Sequence, residues 1–167
     1  GGRYPDEKHF LPRVEKMLKE GASFIDVGGY SSRPGAALVS EEEELNRIIK
    51  PIETILNKFP EAVLSVDTFR SRVAKDSIAA GATMINDISS GDDDEAMFDT
   101  IASLNVPYIM MHKQGTAQNM QLNPEYDDVV KEVIQYFSFK LEKLYELGVK
   151  DVIIDPGFGF GKTLEHN

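Results

Sequence analysis

Cysteine is absent from this chain of 167 residues, which excludes disulfides, thiolate nucleophiles and Cys-type zinc sites and leaves stability to packing. Long apolar runs are missing too. No stretch approaches the roughly 18 residues that a membrane helix needs, and Gly1-Gly2-Arg3-Tyr4-Pro5-Asp6 lacks the apolar core of a signal peptide, so a cytoplasmic protein is expected. Basic residues are few: 18 Lys and Arg stand against 28 Asp and Glu, a net charge of −10. That balance repels phosphate backbones and anionic lipid, so neither nucleic acid nor a membrane is an expected partner. What remains, 41% hydrophobic and 28% charged residues, suits one globular domain over residues 1–167. The acidic runs Glu41–Glu44 and Asp92–Glu95 read as solvated helix starts.

Five short apolar or β-branched runs, Phe24 to Val27, Val63 to Val66, Thr83 to Ile85, Val106 to Met111 and Val152 to Ile154, read as buried strands. Stretches of helical period separate them. The first carries Phe10, Val14, Met17 and Leu18 and stops at Gly21. The second is capped by Ser40 with Glu43 reaching back, and Pro51 is expected to kink or split it. The third spans about Arg70 to Ala80, and the fourth carries Phe98, Ile101, Ala102 and Leu104. The last is expected to start at Asn123-Pro124 and to present Val129, Val130, Val133, Ile134, Phe137, Leu141 and Leu144 on one apolar face. Alternation of this kind implies a parallel sheet, either doubly wound or closed into a barrel.

Polar residues follow or close each run: Asp26, Asp67, Asn86, His112 and Asp155. Each can serve merely as a cap or a turn residue, but in a parallel α/β fold the strand ends share one face, so the five converge. Two carboxylates and a carboxamide, Asp67, Asp155 and Asn86, match a flat heterocycle that presents an amino group, a ring N–H and a carbonyl, as pterins and guanines do. The same trio can ligate Mg²⁺, although magnesium usually takes one or two carboxylates with water and phosphate. Gly28-Gly29-Tyr30-Ser31-Ser32-Arg33-Pro34-Gly35 reads as a ligand-clamping loop in which Arg33 can fork around an anion. Asp155-Pro156-Gly157-Phe158-Gly159-Phe160-Gly161-Lys162-Thr163 is no nucleotide P-loop, because Pro156 stands where that motif needs its first glycine. Its glycines are expected to bring backbone close to a flat ring, with Phe158 or Phe160 against it or in the core, and Lys162 opening the next helix rather than meeting an anion. His112, at a strand end, can bind an anion or shuttle a proton but is more often a packed, hydrogen-bonded wall residue, and His9 and His166 have no matching partner for a metal site.

Taken in order, Asp26 to Gly35 (DVGGYSSRPG), Ser65-Val66-Asp67-Thr68, Ile85-Asn86-Asp87-Ile88-Ser89, Met111-His112-Lys113-Gln114-Gly115-Thr116 and Asp155 to Thr163 (DPGFGFGKT) resemble the dihydropteroate synthase family across the whole chain. The resemblance implies a (β/α)8 TIM barrel, of which this chain supplies about five βα units, the second to the sixth strand. It implies 6-hydroxymethyl-7,8-dihydropterin diphosphate and p-aminobenzoate as substrates, Mg²⁺ as cofactor, sulfonamides as inhibitors, and a homodimer as one allowed assembly. Carried over by position, Asp67, Asn86, Met111, Asp155 and Phe160 bind the pterin, with Asp67 and Asp155 catalytic. Ser32, Arg33 and Pro34 border the diphosphate and p-aminobenzoate. The family's usual Glu-Ser-Thr-Arg-Pro reads Tyr30-Ser31-Ser32-Arg33-Pro34 here, which leaves the role of Tyr30 open. The magnesium-ligating asparagine is expected upstream of Gly1, and a lysine, an arginine and a histidine beyond Asn167, so the piece as it stands is expected to be inactive. A pterin-binding methyltransferase that presents methyltetrahydrofolate to a corrinoid, and a non-catalytic pterin or sulfonamide binder, are the alternatives.

Overall fold

A computed structural model describes residues 6–31, 37–115 and 124–167. In chain order the elements are α1 (Glu7–Lys19), β1 (Ile25–Gly28), α2 (Glu41–Lys58), β2 (Leu64–Asp67), α3 (Ser71–Ala79), β3 (Met84–Asp87), α4 (Met97–Leu104), β4 (Tyr108–Met111), α5 (Val129–Glu146) and β5 (Val152–Asp155). The strands form one sheet in the order β1-β2-β3-β4-β5, every pair parallel. A doubly wound sheet reverses its order at a switch point, whereas an order that only advances is that of a barrel wall. The chain therefore builds an arc of five strands of a (β/α)8 barrel.

Parity along the strands decides which face each side chain takes, because neighbours in a strand point to opposite sides and paired residues to the same side. Ile25, Leu64, Val66, Ile85, Tyr108 and Met110 share the outer face and join the core with Ile48, Ile52, Val73, Ile101, Phe137 and Leu144 from the helices. The inner face carries Asp26, Ser65, Asp67, Met84, Asn86, Ile109, Met111, Ile153 and Asp155.

Several local expectations change. Helix α2 runs unbroken through Pro51. A proline inside a helix removes one main-chain bond, and here Ile48, Ile52 and Ile55 are almost fully buried against the sheet and hold the helix in place. Ser40 caps α2 by accepting from Glu43 N at 3.2 Å, while the Glu43 carboxylate turns to Arg47 instead of reaching back. Helix α5 begins only at Val129, with Asp128 as its cap, accepting from Lys131 N at 3.0 Å; Pro124 lies before it and Asn123 outside the described residues. Of the apolar face expected on α5, Phe137 and Leu144 are buried, whereas Val130 is 65% and Ile134 60% exposed. Lys140 is buried among them, donating to Ser90 O at 2.7 Å and Asp92 Oδ1 at 2.5 Å.

Ile85 has no exposed surface and sits in the middle strand. Ile85→Ala is expected to lower the unfolding free energy by about 2–5 kcal/mol, read as a shift of the urea midpoint at unchanged slope. A loss below about 1 kcal/mol would contradict this packing.

Candidate functional site

The inner-face residues meet where the carboxyl ends of the strands open. Asp67 ends β2 in register with Asn86 on β3 and Gly28 on β1. Met111 ends β4 opposite Asp155 of β5. Four of the residues expected from the sequence to bind one ligand, Asp67, Asn86, Met111 and Asp155, therefore project from the same concave face. A Cβ on Gly28 would lie 3.4 Å from Asp67 Oδ2, so the absence of a side chain leaves that carboxylate room. Asp155 holds its own loop, accepting from Gly157 N at 2.8 Å. Phe160, from the same loop, is half-buried. Ser32, Arg33 and Pro34 lie outside the described residues.

Burial, together with the carboxylates of Asp26, Asp87 and Glu44, pushes the Asp67 carboxyl up to about 7. Asp26 is steadied by Ser65, whose hydroxyl donates to Asp26 Oδ1 at 2.5 Å. An uncompensated carboxylate set beside others on a concave face is suited to a ligand that brings donors of its own. Two carboxylates at the ends of β2 and β5 can take N–H groups from two edges of a planar ring, and an amide between them can take a donor and an acceptor.

His112 follows Met111 but faces away, towards the helices. Its ring packs on Tyr136 at 4.9 Å between centroids, and its Nδ1 lies 2.9 Å from Lys162 Nζ. Burial and the neighbouring ammonium hold the imidazole down at about 4, so it is neutral at physiological pH and accepts from Lys162. Lys162 opens no helix. Its buried Nζ donates to His112 O at 3.3 Å, Gly157 O at 3.2 Å and Phe160 O at 3.2 Å, and burial lowers its pKa.

The glycines of this loop also do something other than approach a ring. A Cβ on Gly157 would stand 2.0 Å from His112 O, and one on Gly161 2.6 Å from Gln114 O. Both have positive φ, and both let the β5 loop lie directly on the chain that leaves β4. Phe158 is 66% exposed.

The acidic run Glu41–Glu44 opens α2 with Glu42 and Glu43 exposed, and Asp92, Asp93 and Glu95 are exposed as well, but some members of both runs have specific partners. Glu44 is fully buried, accepting from Thr68 Oγ1 at 2.7 Å and Arg70 Nη1 at 2.5 Å. Asp93 pairs with Lys113 at 2.9 Å, and Asp94 Oδ2 accepts from Ser71 N at 2.7 Å to cap α3. Asp87, on the outer face, accepts from Ser89 N, Ser89 Oγ, Gly91 N and Tyr108 Oη at 2.7–2.8 Å. Helical phase points to Glu44 in the sequence, since it stands four residues before Ile48 on the stripe that continues through Ile52. The partners of the others come from distant segments and leave no local pattern.

Comparison with known proteins agrees with this fold. The family described as pterin binding enzymes matches residues 1–167. The chain is 45% identical over 169 residues to the dihydropteroate synthase of Escherichia coli K12, covering all of this chain and 59% of that protein. It superposes on the Yersinia pestis dihydropteroate synthase solved with a sulfonamide drug complex at a TM-score of 0.94 and 40% identity, covering 100% of this chain and 61% of that one. On the Burkholderia cenocepacia enzyme complexed with 7,8-dihydropteroate the TM-score is 0.84 at 38% identity, covering 95% and 57%. The chain thus spans about three fifths of the length of these relatives.

The raised Asp67 carboxyl has a pH signature. Its folded pKa of about 7 lies above the model-compound value of 3.8, so the folded state holds the proton more tightly than the unfolded chain. The stability this contributes is complete below about pH 4 and lost as pH rises through 7. The ¹³C resonance of the Asp67 carboxyl is expected to titrate near 7 in the ligand-free protein, and Asp67→Asn to remove the matching slope in stability. A midpoint near 4 would contradict this environment.

Proposed function

This chain belongs to the pterin-binding enzyme family, and we propose that the protein carrying it is a cytoplasmic dihydropteroate synthase, with the chain as a single unit of its barrel. The substrates in this reading are 6-hydroxymethyl-7,8-dihydropterin diphosphate and p-aminobenzoate; the products are 7,8-dihydropteroate and diphosphate. The observation that carries it is the shared concave face of Asp67, Asn86 and Asp155, set among parallel strands with Met111 beside them.

Asp67 and Asp155 accept N–H groups of the pterin, and Asn86 reads a neighbouring donor and acceptor, so the ring is fixed in plane and in orientation. Met111 and Phe160 cover its faces, Met111 from a fully packed position. As the exocyclic carbon–oxygen bond to diphosphate breaks, positive charge develops on the pterin and the two carboxylates stabilise it. The p-aminobenzoate nitrogen then forms the new carbon–nitrogen bond and gives up a proton. In the ligand-free site Asp67 is partly protonated at neutral pH, and donors from the ring favour its ionised form. Ser32, Arg33 and Pro34 border the diphosphate and the amine in this reading.

Magnesium, implied by the family, finds no donor set among the described residues, where no group of three or more His, Asp or Glu gathers as metal ligands. No step above is routed through it. Among the described residues, no helix is long and apolar enough to cross a membrane.

In the full-length protein, Asp67→Ala and Asp155→Ala are each expected to weaken binding of the pterin substrate by at least about 30-fold in calorimetry, the worth of a lost charge-assisted bond. Steady turnover to 7,8-dihydropteroate and diphosphate is expected to require p-aminobenzoate. Unchanged pterin affinity in both variants would overturn the site, and methyl transfer to cobalamin in place of diphosphate release would overturn the reaction.

A further inference from the structure

Arg70 occupies the cap position of α3, yet its side chain makes no capping bond, and Ser71 N is satisfied by Asp94 instead. The guanidinium is spent elsewhere. Nη1 pairs with the fully buried Glu44 at 2.5 Å, and Nη2 donates to Val39 O at 2.8 Å. Its carbon lies 5.5 Å from the centre of the Tyr30 ring and 5.0 Å from that of Phe69. The two rings meet edge to face at 5.2 Å. Thr68, one residue beyond Asp67, joins the same cluster: its hydroxyl donates to Glu44 and accepts from Arg70 N at 3.2 Å. A Cβ on Gly29 would lie 3.0 Å from both Glu44 and Ile48, tighter than most such contacts, so the absence of a side chain lets the start of the connection lie close on α2.

Tyr30 begins the connection between β1 and α2, and Val39 nearly ends it. One guanidinium therefore grips both ends, with a buried carboxylate on α2 as its anchor. The geometry points to Arg70, with Tyr30 and Phe69 as its aromatic platform, as a positioning residue that holds the two described ends of the β1–α2 connection, at Tyr30 and Val39. This assigns a role to Tyr30, which stands where the family usually has glutamate: its ring supplies a face for the guanidinium rather than a charge. Arginine suits the position because a planar fork can bond two acceptors in its plane while its faces remain free to stack; a lysine ammonium cannot do both.

The consequence for catalysis rests on the function proposed above. In that reading the pterin is held by groups on β2, β3 and β5, whereas p-aminobenzoate is bordered by Ser32, Arg33 and Pro34, which lie in the sequence between Tyr30 and Val39, so the cluster bears on p-aminobenzoate more than on pterin. In the full-length enzyme, Tyr30→Leu and Arg70→Lys are each expected to raise the KM for p-aminobenzoate about tenfold, with kcat changed less than about twofold and pterin affinity in calorimetry unchanged. Tyr30→Phe, which keeps the ring, is expected to retain the wild-type KM. Tyr30→Leu leaves the Glu44–Arg70 pair in place, so it reports even where Arg70→Lys fails to fold. An unchanged KM in Tyr30→Leu, a parallel loss of pterin affinity, or a Tyr30→Phe variant as impaired as Tyr30→Leu would each overturn the positioning role. A wild-type protein that binds pterin but shows no p-aminobenzoate-dependent turnover would overturn the functional reading beneath it.

Discussion

Main-chain pairing between short parallel strands fixes the face taken by every side chain in the sheet, and a slip of one residue in any strand would exchange its two faces. On β2 such a slip would drive Asp67 and Ser65 into the packed layer beneath the helices and turn Leu64 and Val66 towards the mouth. The fully buried Leu64 and Val66 oppose that, as do Ile85 on β3 and Tyr108 and Met110 on β4. The apolar outer face thus holds the register, and the register in turn places Asp67, Asn86, Met111 and Asp155 together. Burial at the core and chemistry at the mouth are two results of one alternation.

Charge follows the same division. Buried ionic groups on the outer side are supplied with partners: Glu44 with Thr68 and Arg70, Asp87 with Ser89, Gly91 and Tyr108, Lys140 with Ser90 and Asp92. Leaving any of them single would be costly, since a buried charge stripped of its partner destabilises by several kcal/mol. On the inner side the opposite holds at Asp67, whose neighbours include the carboxylates of Asp26, Asp87 and Glu44 and whose pKa rises to about 7. A carboxylate at the mouth left without such partners, in a chain that supplies them elsewhere, is suited to a ligand that brings donors of its own. Lys162 extends the pattern. Its ammonium bonds the neutral ring of His112 and three carbonyls, and so joins the loop after β5 to the end of β4 beside Asp155.

Much of this was legible in the sequence because it depends on local alternation. The five strands lie within about two residues of the apolar runs, and of the polar residues closing those runs Asp26, Asp67, Asn86 and Asp155 share the inner face, whereas His112 turns to the helices. Where the reading failed, the deciding interactions were distant in the chain. Pro51 was expected to interrupt α2, yet tertiary burial of Ile48, Ile52 and Ile55 outweighs the lost bond. Asn123-Pro124 has the pattern of a helix start, yet Asp128 has the cap. Lys162 has the pattern of a helix start, yet its partners are His112 and nearby carbonyls, and Gly157 and Gly161 also lie on the backbone after β4, some 50 residues away. The Arg70 cluster was invisible for the same reason, as it draws on Tyr30, Val39, Glu44 and Thr68 from three separate segments.

The convergence of Asp67, Asn86 and Asp155 on one planar heterocycle is the centre of this account. A crystal structure of the full-length protein with 7,8-dihydropteroate bound tests it most directly. The pterin ring is expected between β2 and β5, with its N–H groups within hydrogen-bond distance of the Asp67 and Asp155 carboxylates and Asn86 bonded to the same ring. A ring seated elsewhere, or one that leaves either carboxylate without a bond, would contradict it.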